Sequence, residues 1–155
     1  LVACGAIATS PKAEFSDKLL TIHQALGRLL TEHRPDCVAI ENVFYAKNVR
    51  SALKLGHARG VALLAVVEGG YPVFEYAPAE IKRAVVGYGR AEKHQVGEMV
   101  RIMLGLTDVP TPHDAADALA VAICHVHASG GPVAAIVAGS KRGARGPKSW
   151  REYRP

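Results

Sequence analysis

Asp114 and Asp117 stand three residues apart in the stretch PHDAADALAVAICHVH. On a helix that spacing puts both carboxylates on one face, in the first turns. Acids near a helix N-terminus also complement the macrodipole. That explains one such acid more readily than two on a single face followed by an almost wholly apolar run. Close carboxylates repel unless a cation sits between them, and hard oxygen donors with room for water suit Mg²⁺ or Mn²⁺. His113, beside the pair, is a candidate for proton transfer or for supporting a ligand.

A third acid completes the pattern. In AIENVFYAKN the apolar run 37–40 reads as a buried strand and ends in Glu41. A charge there is costly to desolvate, yet the C-terminal end of a central parallel strand is where α/β folds place ligands. If the helix bearing Asp114 and Asp117 packs across that strand end, three carboxylates converge on one or two divalent ions. Such ions activate a water and stabilise the leaving oxygen at a phosphodiester. The alternative for Glu41, a strand-end acid turned to solvent or paired with Lys47, stays open. Phe44 and Tyr45 follow the strand end, where aromatics stack on bases or wedge into distorted nucleic acid; ordinary burial is the competing use. Lys47, Arg50, Lys54 and Arg59, then Lys82, Arg83, Arg90 and Lys93, are bases placed to grip phosphates around an acidic centre.

Other motifs are weaker. Gly87-Tyr88-Gly89-Arg90-Ala91-Glu92 opens like a dinucleotide fingerprint but lacks its third glycine, and no phosphate-binding GxxxxGK[ST] loop occurs. Cys124, His125 and His127 lack the separated-pair spacing of a zinc site.

The elements that must carry these residues follow from periodicity and breakers. Residues 1–8 are small and apolar, the pattern of a strand. Residues 16–33 have a helical period with Ser16 as N-cap, ended by Pro35. After the 37–40 strand, residues 48–68 form the longest helical pattern, stopped by Gly69-Gly70. Within it Ala52, Gly56 and Gly60 leave a smooth stripe that admits a close neighbour, in the core or in a second copy. Residues 73–76 are a short strand. Pro78 opens a helix at its first turn, Gly87-Tyr88-Gly89 breaks it, and helices over 91–104 and 114–127 follow. The order implies an α/β fold with at least part of the sheet parallel.

Length and charge bound the rest. The 155 residues make one domain with a proper core. The longest apolar run, 61–67, is far short of the ~20 residues that span a bilayer. The N-terminus lacks a basic region followed by an apolar stretch. Three cysteines without a CxxC suit a reduced cytosol, so a cytoplasmic location is expected. Residues 141–155 hold six bases and one acid, and the remaining 140 hold 13 of each. The whole net charge of +5 therefore sits in a Gly/Pro-containing tail that attracts polyanions or simply aids solubility. The expected division is a domain over 1–128 and a flexible basic tail over 129–155.

AIENVFYAKN, SALKLGHARGVAL, VFEYAPAEIKRAVVGYGRAEKHQV and HDAADALAVAICH, in this order and spacing, resemble the RuvC family of Holliday junction resolvases across residues 1–127. The resemblance implies an RNase H-like fold, a mixed sheet flanked by helices. It implies a homodimer that cuts four-way DNA junctions symmetrically with Mg²⁺ or Mn²⁺, favours a short thymine-containing sequence, and works with the RuvA–RuvB branch-migration complex. Glu41 matches the family's strand-end glutamate, and Asp114 and Asp117 match its DAAD-type pair. Phe44 matches an aromatic near the junction centre, while Lys82 and Lys93 match bases near the scissile phosphate. Family members begin with a strand carrying a GIDPG-like segment whose aspartate is a fourth ligand. Nothing here matches it, and residues 1–8 correspond to a later strand of the sheet. The expectation is that the natural chain starts upstream and bears that aspartate. A non-catalytic junction-binding protein, or an RNase H-like nuclease for another structured nucleic acid, is the rival reading.

Overall fold

A computed structural model describes residues 1–42 and 48–130. The helices and strands are α1 (Phe15–His33), β1 (Val38–Glu41), α2 (Val49–Glu68), β2 (Val73–Tyr76), α3 (Pro78–Val86), α4 (Lys93–Met103) and α5 (His113–Gly130). Most of the chain forms one unit, Leu1–His125. Of a second unit, Val126–Pro155, the described residues are 126–130, the end of α5. The expected basic tail lies outside the described residues from 131 onward.

β1, α2 and β2 form a parallel crossover unit, with Val38 opposite Val73 and Glu41 opposite Tyr76. A parallel pair needs such a long connection, and a helix supplies it. Side chains alternate along a strand, so Ala39 and Glu41 share a face with Phe74 and Tyr76, while Ile40 and Glu75 share the other. The first face is covered by α5: the Phe74 ring lies 4.6 Å from that of His125. The main core joins Ile81 and Val85 of α3, Val96 and Val100 of α4, and Leu119, Ala120, Ile123 and Cys124 of α5, with Ala39 and Tyr76 packed against it. Val100 is fully buried. α1 packs on α2, and the Tyr71 hydroxyl donates to the Leu30 carbonyl at 3.0 Å.

Local chemistry sets the boundaries. The Asn48 side chain caps α2 by accepting from the Ser51 N–H at 2.8 Å. Glu80 reaches back to the Ala77 N–H at 2.7 Å beside Pro78, and Gly87 ends α3 at φ 92°, a conformation that favours glycine. A Cβ at Gly97 would lie 3.1 Å from Val109, so glycine lets the 105–110 loop close on α4.

Three expectations need correction. Residues 1–8 form no strand; an apolar segment becomes one only by pairing, and here β1 and β2 pair with each other. Glu14, not Ser16, precedes α1, and it makes no side-chain cap bond. α5 continues past 127 to Gly130. Among the described residues no helix is long and apolar enough to cross a membrane.

Candidate active site

β1 is short and ends in Glu41, and α5 lies along the same face. Glu41 and Asp117 line one cleft of about 210 Å³ together with Lys82 and Lys93. Its apolar walls include Pro78 and Ile81 of α3, Val96 of α4 and Ala120 of α5. Two acids and two bases thus come from four elements, β1, α3, α4 and α5. The Lys93 ammonium bonds the Asp117 carboxylate at 3.0 Å. Lys93 is the first residue of α4, where a cation opposes the helix dipole; Asp117 offsets that cost.

The electrostatics follow from this placement. Burial pushes the Glu41 carboxyl above its ordinary pKa, the Asp117 charge adds to it, and Lys93 and Lys82 oppose it. Lys93 is held above its ordinary value by the hydrogen bond and charge of Asp117, with smaller contributions from Asp114 and Glu41. Glu41 is therefore a carboxylate whose ionised form the protein alone does not favour.

At the other end of the same face, the Cys37 thiol lies 3.1 Å from His125 Nε2, and the Tyr76 hydroxyl lies 2.7 Å from Nδ1. The two ends match in length. Asp117 to His125 is eight helical residues, about 12 Å, and Glu41 back to Cys37 is four strand residues, about 13 Å. α5 thus runs antiparallel to β1 and meets it at two places, and the thiol–imidazole–phenol contacts fix the register that sets Asp117 beside Glu41. Sequence reasoning weighed His125 only as a weak zinc ligand; its four-residue spacing from Val121 on the buried face of an apolar helix was the available signal.

The sequence candidates divide. Glu41, Asp117, Lys93 and Lys82 come together. Asp114 stands outside the cleft lining, exposed in the first turn of α5, near enough to add to the Lys93 shift. Three residues advance a helix by 300°, so the neighbouring acids diverge by about 60°. Among the described residues no three Asp, Glu, His or Cys side chains form a metal-binding group. Arg50 and Arg90 are exposed and line no part of the cleft. Phe44, Tyr45 and Lys47 lie outside the described residues. Arg59, expected to grip phosphate, points inward: its side chain is 19% exposed and bonds the Glu41 carbonyl and Glu75. The signal was its three- and seven-residue spacing from Ala62 and Val66, which puts it on the packed face of α2.

A divalent metal fits this donor set. Two hard carboxylates line one cleft of about 210 Å³, and the Asp117 charge adds to the cost of ionising Glu41.

The chain is similar to known proteins of one family. A family profile described as RuvC, crossover junction endodeoxyribonuclease RuvC, matches residues 1–125. A crossover junction endodeoxyribonuclease RuvC from Koribacter versatilis is 55% identical over 128 residues, covering 83% of this chain and 77% of the relative. One from Trichlorobacter lovleyi is 47% identical over 97% of this chain and 83% of its own length. The structure of Thermus thermophilus RuvC in complex with a Holliday junction substrate superposes with a TM-score of 0.73 at 39% identity, covering 77% of this chain and 73% of that one.

Proposed function

The chain belongs to the RuvC family of crossover junction endodeoxyribonucleases, with its RNase H-like fold, and from that premise we propose how its residues cut a four-way DNA junction. Glu41 and Asp117, with Asp114 one turn away, hold divalent metal, Mg²⁺ or in its place Mn²⁺. The bound metal supplies an activated water and a Lewis acid at the phosphodiester. The observation that carries this is the sharing of one cleft by Glu41 and Asp117, with Lys82 and Lys93 beside them.

Each residue then has a task. Glu41 and Asp117 turn their mutual repulsion into affinity for a dication. Lys93, released from Asp117 when that carboxylate is engaged elsewhere, turns its ammonium to the phosphate and neutralises charge that builds on the phosphoryl oxygens. Lys82, on the α3 side of the cleft lining, steers the backbone into the cleft. Exposed Arg50 and Arg90, with Tyr45 and Lys47, contact the junction DNA, and Phe44 contacts it near the junction centre. Burial desolvates Glu41 and strengthens the charge interactions that reach it.

The proposal extends to a homodimer, so that two clefts nick two strands in symmetry. What supports it is the α2 stripe: Ala52, Leu53, Gly56, Gly60, Val61 and Leu64 line an open apolar groove. A Cβ at Gly56 or Gly60 meets nothing within 4 Å. Membership of the family further suggests work in the cytoplasm alongside a RuvA–RuvB branch-migration complex.

The test uses a labelled four-way junction and its linear arms, with Mg²⁺, with Mn²⁺ and with chelator. Paired, symmetric, metal-dependent nicks in the junction alone are expected. Tight junction binding without cutting in either metal would make the protein a binding module instead. Equal cutting of linear arms would point to a nuclease for another substrate.

A further inference from the structure

Arg59 is tied to the end of the strand that carries Glu41. One guanidinium nitrogen donates to the Glu41 carbonyl at 2.7 Å. The other donates to the Glu75 carboxylate at 2.6 Å. The side chain is mostly buried, at 19% exposure, whereas Glu75 is 42% exposed. One planar fork therefore joins α2, the last residue of β1 and the middle of β2.

The location of this fork determines what it does. Glu75 is opposite Ile40 in the strand register, so it lies on the sheet face away from the cleft. Arg59 approaches Glu41 from behind, through the backbone. One residue beyond Glu41 the Asn42 N–H donates to the Tyr76 carbonyl at 2.8 Å. The end of a strand is where a ladder opens first unless something holds it. We propose that Arg59 is a positioning residue for the nuclease reaction: it clamps the C-terminal end of β1 and so fixes where the Glu41 carboxylate stands in the cleft.

The inference rests on the reading of Glu41 as a metal-holding carboxylate. Arg59 acts through geometry rather than charge, and the groups that shift Glu41 agree: burial, Asp117, Lys93 and Lys82, with no guanidinium among them. Lysine is a poor substitute here. An ammonium keeps the charge but cannot span two acceptors in the plane of a fork.

The experiment compares Arg59→Lys, Arg59→Met, Glu75→Gln and Arg59→Met/Glu75→Gln, with Glu41→Gln as reference. Single-turnover cutting of a labelled four-way junction is followed against Mg²⁺ concentration and pH, together with junction binding and thermal unfolding. Both Arg59 variants are expected to lose about tenfold or more in cutting rate and to need several-fold more Mg²⁺ for half-maximal rate, the scale of losing an outer partner of a ligand. Junction affinity and the midpoints of the pH profile stay as in the wild type. Glu75→Gln shows a smaller loss in the same direction, and the double variant is no worse than Arg59→Met alone. Wild-type rate and Mg²⁺ requirement in Arg59→Lys would overturn the inference. So would lower thermal stability with an unchanged Mg²⁺ requirement, which means a merely structural bond, or a displaced pH midpoint, which means action by charge. Loss of cutting in Glu41→Gln with none in the Arg59 variants would remove this inference alone. Normal cutting by Glu41→Gln would remove the Glu41 reading and this inference with it.

Discussion

Replacing Lys93 with methionine should separate three quantities that a structural lysine would move together. The Lys93 side chain is 76% exposed and its partner Asp117 37% exposed, with 3.0 Å between the charged atoms. An exposed pair of this kind stabilises a fold by roughly 0.2–1 kcal/mol, so thermal unfolding should fall by a few degrees at most. The same bond competes with metal for Asp117. Its loss should tighten Mg²⁺ binding to the free protein by up to about fivefold, the ratio that ~1 kcal/mol corresponds to. Cutting should move the opposite way. Removal of a donor aimed at developing charge costs about 10²–10³ in rate. Metal titration by calorimetry at pH 8, single-turnover cutting of a labelled junction and scanning calorimetry measure the three. Cutting within twofold of wild type would refute the role given to Lys93. Weaker metal binding would refute the competition with Asp117.

Neutralising the other acid should stabilise the fold. The Glu41 pKa is raised by burial and by Asp117, so the folded state keeps this proton longer than the unfolded chain does. Its stability contribution is therefore lost as pH rises from the ordinary carboxylate range through the folded value. Glu41→Gln should raise the unfolding temperature above that window and flatten its pH slope while abolishing cutting; an unchanged slope on a pH series of melting curves would contradict this. His125→Leu removes the contacts to Cys37 and Tyr76 and should cost about 1–3 kcal/mol in urea unfolding, with cutting reduced because Asp117 loses its register; a loss below 0.5 kcal/mol, roughly the noise of such a change, would show that α5 needs no such anchor. Gly56→Glu puts a charge in the open α2 groove, where a Cβ at Gly56 meets nothing within 4 Å among the described residues. It should turn a dimer into a monomer in light scattering, with thermal unfolding falling only as far as the lost dimer contacts require, and a persistent dimer would place the interface elsewhere.

Much of the fold was legible because its signals are local. Proline at 78, the glycines at 69, 70 and 87, and the short apolar runs at 38–40 and 73–76 each act through their own backbone, and they fall at the observed boundaries within a residue or two. Facing was harder to read. Asp114 and Asp117 look like equals in sequence, but α5 begins at His113, and the cleft forms against the second turn. The placement therefore favours Asp117 and leaves Asp114 at the helix end. Arg59 was miscast as a surface base because charge alone does not report direction; its spacing from Ala62 and Val66 did. The strand expected over residues 1–8 rested on composition, which registers a preference for burial and says nothing of a pairing partner. Of the bases grouped around the acidic centre in the sequence, Lys82 and Lys93 line the cleft; how the described bases divide between Asp117, the walls and open solvent depends on contacts between distant segments.

Glu41 and Asp117 are proposed to hold divalent metal in the cleft they share. Crystals of the protein soaked in Mn²⁺ and measured at the manganese absorption edge test it most directly. An anomalous peak in the cleft, coordinated by both carboxylates, with Lys93 turned away from Asp117, is the expected result. A peak held by Asp114 without Glu41, or none in the cleft at Mn²⁺ concentrations that support cutting in solution, would contradict it.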